Sequence, residues 1–174
     1  NIFIIDIKPE NIVVNTTSNE VVLLDCDGFS VEYKNDKHPA NHISPDYIAP
    51  EVTRNGLSPT VLGLGQDLYA LSVLIFQLLN RGLHPFSGRL QIEIEATTND
   101  DKAAAGYYAY GISANSSIHP HKASVHEMWP DEVLSTFELC FTGNKRASAS
   151  EWIELFQNIE DGKGYERCES RPED

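Results

Sequence analysis

The sequence is poor in cysteine and in positive charge. Its three cysteines, Cys26, Cys140 and Cys168, are widely spaced and form no Cys-x-x-Cys pair, which argues against a disulfide framework and a cysteine-rich zinc site. Thirteen Lys and Arg face twenty-six Asp and Glu, for a formal net charge of −13 over 174 residues. This balance disfavours binding to nucleic acid or to anionic lipid. The cysteine usage favours a reducing, cytoplasmic location.

Long apolar runs and an initiator methionine are also lacking. The longest apolar run, residues 71–76, contains Ser72 and is much shorter than the roughly eighteen residues of a membrane span, so we expect no transmembrane segment. The chain starts at Asn1 and its only methionine is Met128, so we expect it to be a piece of a longer protein. Its 41% hydrophobic and 22% charged content is typical of one globular unit with a core.

Strand signals are confined to the start of the chain. Two β-branched runs, residues 2–5 and 12–14, flank a polar loop that contains Pro9. A turn cluster and another extended run follow, so residues 12–24 should form a hairpin. Residues 26–48 carry turn formers without a helical period, which predicts a long surface loop.

Helical patterns follow further along the chain. Residues 67–79 are apolar on nearly all sides, which predicts a buried helix, and Asp67 at its start suits the helix dipole and the orphan amides. Residues 130–141 predict a second helix and residues 148–159 a third, with Ile153 on its inward face. We also expect short helical or irregular pieces at 90–96 and 101–110, a loop at 111–126, and a charged, frayed tail at 160–174.

One loop concentrates the reactive groups. The run Asp6-Ile-Lys-Pro-Glu-Asn11 contains an acid, a cation and an amide, and Asp25 follows fourteen residues after Asn11, at the end of the predicted hairpin. Carboxylate and amide oxygens suit Mg²⁺, which otherwise keeps water and phosphate ligands. Phosphoryl transfer needs a positioned metal, a carboxylate for the attacking hydroxyl and a cation for the transferred group. The loop therefore favours chemistry on a metal-bound nucleotide.

These residues resemble sequence motifs of the protein kinases. The loop from Asp6 to Asn11 resembles the catalytic loop H-R-D-L-K-P-x-N, and Asp25-Cys-Asp27 stands where that family has its metal-binding Asp-Phe-Gly. The run Ser44-Pro-Asp-Tyr-Ile-Ala-Pro-Glu51 resembles the end of the kinase activation segment. Three later features fit the same order: the helix from Asp67, the His84-Pro-Phe-Ser-Gly88 turn after it, and Arg146, which the family pairs with the glutamate of Ala-Pro-Glu.

The resemblance implies a mainly α fold, α+β overall. Residues 1–159 would be the C-terminal lobe of a protein kinase domain, with a small β-hairpin at the active site and a buried central helix. Residues 160–174 would be the charged, disordered tail. The N-terminal lobe, with its Gly-rich loop and strand lysine, has no counterpart in the sequence, so we expect these 174 residues alone to bind ATP weakly and to be slow or inactive.

The resemblance also implies a role for each reactive residue. Asp6 would be the catalytic base, and Lys8 would neutralise the γ-phosphate of ATP. Asn11 and Asp25 would hold Mg²⁺, with Mn²⁺ as the alternative metal. A lysine two residues after the catalytic Asp marks the Ser/Thr type of loop, in which the residue at the position of Ser44 bonds both base and lysine. The structural residues would be Asp67, which ties down the catalytic loop, and Glu51 with Arg146, which form a buried ion pair.

The sequence departs from the family pattern at three places. Ile4 and Ile5 replace the His-Arg that precedes the catalytic Asp, so we expect activity not to require phosphorylation of the activation segment. Asp27 replaces the Gly of Asp-Phe-Gly and is a candidate helper. An alternative register, in which Asp27 is the metal ligand, stretches the spacing from Asn11 to sixteen residues. Residues 97–126 diverge and suggest an insertion.

Three functions remain open on the sequence alone. A Ser/Thr protein kinase that uses ATP, Mg²⁺ and a protein substrate, with a basic one favoured by the charge, fits Asp6, Lys8, Asn11 and Asp25. A pseudokinase scaffold fits the altered positions before Asp6 and after Asp25. A small-molecule phosphotransferase of the same fold shares the acidic residues but not Lys8 or the Ala-Pro-Glu box. A zinc site of His119, His121, His126 and Cys140 is disfavoured because their spacing matches no compact ligand pattern.

Overall fold

The fold is mainly helical, as expected, with small antiparallel sheets at its edges. The computed structural model describes residues 1–91, 98–113, 115–143 and 145–162. Its helices are α1 (Pro50–Asn55), α2 (Leu64–Leu79), α3 (Asn99–Ala105), α4 (Asp131–Thr142) and α5 (Ala149–Asp161). Its strands are β1 (Ile2–Phe3), β2 (Ile12–Asn15), β3 (Glu20–Leu23), β4 (Ser30–Tyr33), β5 (Asp36–His38), β6 (Arg89–Leu90) and β7 (Ile118–His119).

The predicted hairpin over residues 12–24 is confirmed. Strands β2 and β3 pair antiparallel, and Val13 lies opposite Val22. One further backbone bond, from the Leu24 N–H to the Asn11 carbonyl at 2.8 Å, extends the pairing past the strand ends. The hairpin therefore brings Asn11 beside the residue that precedes Asp25.

The prediction of a long surface loop at residues 26–48 is wrong. Strands β4 and β5 form a hairpin there, and β4 also pairs with β1, where Ile2 lies opposite Val31. These strands are too short to show a period, and β1, the second partner of β4, is distant in sequence. Strand β1 in turn ends at Phe3 rather than at residue 5, because the Ile4 and Ile5 amides bond to a side chain of α2.

Helix α2 is the centre of the core, although it begins three residues before the predicted start, with Gly63 at its N-cap. Asp67 consequently does not cap the helix. The face that carries Ala70, Val73 and Phe76 is fully buried. Leu78 is 75% exposed, so the prediction of burial on nearly all sides holds only for part of the helix.

Aromatic rings pack around one side chain of α2. The ring of Phe76 lies edge-on to its neighbours, with centroids 5.1–6.3 Å apart. Edge-to-face pairs of this kind contribute about 0.5–1.5 kcal/mol each beyond the area they bury. The neighbouring rings are those of Tyr108, Tyr110, Trp129, Phe137 and Phe141, which join α2 to α4 and to the segment after α3.

The two C-terminal helices lie where the sequence predicts them. In α4, Phe137 and Phe141 are buried against α2. Helix α5 begins with a capping box, in which Ser148 and Glu151 bond each other's backbone amides. Trp152 is buried, but Ile153 is 57% exposed, so its predicted inward position is wrong.

The region between α2 and α4 is partly regular. Helix α3 overlaps the predicted piece at 101–110, and the predicted loop at 111–126 contains β7, which pairs with β6. Of the predicted piece at 90–96, residues 92–96 lie outside the described residues, as do Cys168 and positions 163–174 of the predicted tail. None of the helices in the described ranges has the length and apolar character needed to cross a membrane.

Candidate active site

The loop that carries Asp6 is fixed by a carboxylate of α2. Asp67 accepts the Ile4 amide at 2.9 Å and the Ile5 amide at 2.6 Å. Ile5 has φ +63°, a left-handed conformation that is rare for a β-branched residue and costs about 1–3 kcal/mol. Burial raises the pKa of Asp67, although the two amides oppose this shift. The bonds to Asp67 stabilise the strained turn and aim the next residue.

Asp6 lies at the centre of a compact hydrogen-bond network and is only 7% exposed. Its Oδ1 accepts the Ser44 amide at 2.7 Å, and its Oδ2 lies 2.7 Å from the Lys8 ammonium. Lys8 also donates to the Ser44 hydroxyl at 2.6 Å, and that hydroxyl donates to Asp6 at 3.2 Å. Burial alone would raise the pKa of Asp6, but the bonds from Lys8 and Ser44 outweigh it and lower the pKa.

Asn11 links this network to the hairpin. Its side-chain amide nitrogen donates to the Asp6 carbonyl at 3.1 Å, which leaves the amide oxygen available for a cation. Asp25 is in the left-handed conformation, with φ +59°. A shared hydrogen bond with Asp27, together with repulsion between the two carboxylates, raises the pKa of Asp25. The two acids therefore crowd each other beside Asn11.

This donor set fits a hard divalent cation. An amide oxygen and one or two carboxylates suit Mg²⁺ or Mn²⁺, which complete their shells with water and phosphate oxygens. A cation between Asp25 and Asp27 would also relieve their repulsion. In the described ranges, no three His, Cys, Asp or Glu side chains lie together as a metal cluster, and this holds for His119, His121, His126 and Cys140.

An open groove of about 480 Å³ lies between the Asp6–Asn11 loop and the short 3₁₀ helix Pro45–Tyr47. Its lining includes Lys8, Glu10, Ser44 and Asp46. Asp100, at the start of α3, is half-buried near Asp46, and burial together with the Asp46 charge raises its pKa to about 6. The groove lining thus carries the acidic side chains of Glu10 and Asp46 together with the basic Lys8.

Glu51 and Arg146 meet as the sequence suggests, but the pair is buried on one side only. Their side chains are 3.0 Å apart, with Arg146 8% exposed and Glu51 44% exposed. Arg146 also donates to the Gly143 carbonyl at 2.9 Å and lies 5.2 Å from the centroid of the Tyr69 ring. The guanidinium therefore joins the start of α1 to the end of α4.

Three polar residues of the site region escaped the sequence analysis. On α2, Gln66 bonds to the backbone of Tyr47 and Ala49, and Gln77 accepts the Tyr47 hydroxyl. His84 bonds to the Asp46 carbonyl at 2.7 Å. Gln66 is 3% exposed and His84 is 7% exposed. No sequence motif marks a glutamine as an anchor, and the sequence indicates His84 only as part of a turn. Their partners lie 17 or more residues away, so no local pattern could reveal them.

Comparisons with known proteins agree with this geometry. The family model of the protein kinase domain matches residues 1–156. Myosin light chain kinase 2, skeletal/cardiac muscle, of Rattus norvegicus is 34% identical over 106 residues, which are 60% of this chain and 16% of that protein. Protein kinase YegI of Escherichia coli O157:H7 is 26% identical over 158 residues, which are 85% of this chain and 24% of that protein.

The chain therefore spans at most a quarter of the length of these relatives. The family model nevertheless covers nearly all of it, from residue 1, ahead of the Asp6–Asn11 loop, through most of α5. The ordered motifs, the network around Asp6 and the match to the family model lead to one conclusion. The chain belongs to the protein kinase family.

Proposed function

We propose that the full-length protein is a Ser/Thr protein kinase that transfers the γ-phosphate of ATP to protein hydroxyls. The observation that carries this proposal is the contact of Lys8 with both Asp6 and Ser44. A lysine held at this place can reach the transferred phosphoryl group while the carboxylate receives the substrate hydroxyl. A location in the cytoplasm, where ATP is available, belongs to the same proposal.

Asp6 would act mainly by orienting the attacking hydroxyl. Its lowered pKa keeps it ionised at neutral pH, so it can accept a hydrogen bond from a serine or threonine hydroxyl. A weak base is sufficient, because the transition state of phosphoryl transfer is loose and depends on position and charge more than on early proton removal. The Ser44 amide would hold the other carboxylate oxygen in place.

Asn11 and Asp25 would hold the metal. When bound, Mg²⁺ would neutralise charge on the nucleotide phosphates. Asn11 is preoriented by its bond to Asp6, and Asp25 by the hairpin that ends before it. Asp27 would assist Asp25 by adding a second carboxylate to the same side of the site.

The substrate would be a protein segment that carries basic residues. Glu10 and Asp46 line the groove beside Lys8, and Asp100 lies behind Asp46. A net charge of −13 also steers cations toward the protein. Activity would not require phosphorylation of the activation segment. Isoleucine replaces the arginine that would bind such a phosphate before Asp6, and the network around Asp6 is nevertheless ordered.

A pseudokinase remains the second candidate, favoured by Ile4, Ile5 and Asp27 at positions where the family has other residues. The full-length protein with labelled Mg-ATP should phosphorylate a basic acceptor protein, and Asp25→Ala should abolish the transfer. Asp27→Gly, which restores the family residue, should retain the maximal rate but need more Mg²⁺ to reach half of it. Absence of Mg-ATP binding would favour the scaffold, and phosphorylation of small molecules alone would contradict the protein-kinase assignment.

A further inference from the structure

The segment from Ser44 to Ala49 is attached to α2 by a buried amide side chain. The Gln66 amide nitrogen donates to the Tyr47 carbonyl at 2.6 Å, and its oxygen accepts the Ala49 amide at 3.0 Å. The side chain is 3% exposed, so water cannot replace either partner. Both polar ends of Gln66 are thus used on the backbone of one short segment.

Gln66 is next to Asp67 in the first turn of α2. Asp67 holds the backbone of Ile4 and Ile5, directly before Asp6, while Gln66 holds the segment that begins with Ser44. Two consecutive side chains of one helix therefore anchor the two separate pieces of chain that meet at the Asp6 carboxylate. The 2.7 Å contact between the Ser44 amide and Asp6 joins these two pieces.

Two further contacts hold the same segment without a charged side chain. The Tyr47 hydroxyl donates to Gln77, three turns along α2, at 3.1 Å, and His84 bonds the Asp46 carbonyl. Neutral bonds to the backbone do not depend on an added phosphate group. They offer a physical route by which this segment stays ordered although no arginine precedes Asp6.

We propose that Gln66 is a positioning residue that locks the 44–49 segment against α2 and so fixes Ser44 against Asp6. This inference rests on the proposed function for its effect on catalysis, but the lock itself is a property of the fold. Only a side chain with one donor and one acceptor at this length satisfies both backbone partners. Loss of these two hydrogen bonds should make residues 44–49 more mobile without unfolding α2.

The test uses Gln66→Met in the full-length protein, because methionine keeps the length and loses both hydrogen bonds. Hydrogen exchange of the Ala49 amide should accelerate about tenfold or more, the size expected for one lost buried bond. Exchange in α4 and α5 should stay within about twofold of the wild type. The matched control is Gln157→Met, at an exposed position on α5, which should change neither.

Kinetics provide the readout that a purely structural role would not move. In Gln66→Met, kcat should fall about tenfold and KM for the protein substrate should rise. KM for ATP should stay within about twofold, because Asn11 and Asp25 make no direct bond to the 44–49 segment. Uniformly faster exchange in every helix would overturn the inference, since it would make Gln66 a general stabilising residue. An unprotected Ala49 amide in the wild type would also overturn it, even if the variant does not fold.

The two proposals can fail separately. A wild-type protein that transfers no phosphate, but whose Ala49 amide loses protection in Gln66→Met, would contradict the kinase proposal and support the lock. An active protein in which Gln66→Met leaves exchange and kcat unchanged would overturn the lock and leave the kinase proposal standing.

Discussion

The Lys8 ammonium lies 2.7 Å from the Asp6 carboxylate, and only about a fifth of the Lys8 side chain is exposed. Lys8 and Ser44 also line the groove beside this loop, next to the buried Asp6 carboxylate. Lys8 lowers the pKa of Asp6 through this hydrogen bond and so helps to keep the Asp6 carboxylate ionised.

Replacement of Lys8 by methionine should reduce kcat about a hundredfold, because a cation positioned on the transferred group is lost. The pKa of Asp6 should rise at the same time, since burial is then opposed only by Ser44. Steady-state kinetics of the full-length protein measure the first effect, and the acid limb of the pH–rate profile measures the second. Lys122→Met, at an exposed position, is the control, and a variant at Lys8 with wild-type kcat would contradict the role.

Asp67→Ala should destabilise the fold by about 2–4 kcal/mol, because two amides lose their acceptor and the φ of +63° at Ile5 loses its support. Asp67→Asn keeps one acceptor oxygen and should lose about half as much. Urea unfolding of both variants measures these changes, with exposed Asp36→Asn as control. Equal stability of wild type and Asp67→Ala would show that the bonds to Ile4 and Ile5 contribute nothing net.

Much of the site can be predicted from sequence because its signals are local. The loop from Asp6 to Asn11 and the hairpin after it are continuous in the chain, and their turn residues and β-branched runs are enough to place them. Contacts between distant segments cannot be predicted in this way. The bond from Ala49 to Gln66 spans 17 residues, and strand β4 is defined by partners on β1 and β5 rather than by its own period.

Burial of single residues is also beyond the local pattern. Helix α5 has a continuous apolar stripe in sequence, yet Trp152 is 2% exposed and its neighbour Ile153 is 57% exposed. Successive residues on a helix point about 100° apart, so both cannot face α4 unless the apolar face is very wide. The start of α2 escapes prediction for a different reason. The residues before Asp67 include Gly63, Leu64 and Gly65, which carry no helical signal.

Arg146→Lys should lower stability by about 1–2 kcal/mol although it keeps the charge. Lysine cannot bond Glu51 and the Gly143 carbonyl together or stack on Tyr69 as the planar guanidinium does. The adjacent Lys145 offers an internal comparison, because its 2.9 Å pair with Glu151 is exposed on both sides. Solvent screens such a pair, so Lys145→Ala should leave the stability nearly unchanged. Chemical denaturation of both variants measures the contrast, and a larger loss at Lys145 would contradict it.

His84 should make stability depend on pH below its unfolded pKa of about 6.5. Burial lowers its pKa, and Lys102 adds to this shift, whereas the bond to the Asp46 carbonyl and the Asp46 charge oppose it. A lowered pKa means that the unfolded chain binds the proton more tightly than the folded protein does. The contribution of neutral His84 to the free energy of unfolding is therefore complete above pH 6.5 and is lost as the pH falls through the folded pKa. Protonation would also break the 3.2 Å bond from the Phe86 amide to Nδ1.

Urea unfolding between pH 7.5 and pH 5 tests this dependence. The wild type should lose stability across the window, and His84→Gln should lose less, because it has no proton to gain. Exposed His42→Gln should follow the wild type. A His84→Gln curve that is parallel to the wild type would assign the pH dependence to other groups.

The most direct test of the kinase proposal is phosphate transfer by the full-length protein and its Asp6→Asn variant. With γ-labelled Mg-ATP and a basic acceptor protein, the wild type should place label on serine or threonine, and Asp6→Asn should lower the rate at least about a hundredfold while the fold and nucleotide binding persist. Equal labelling by wild type and Asp6→Asn, or label found only on small molecules, would contradict the proposal.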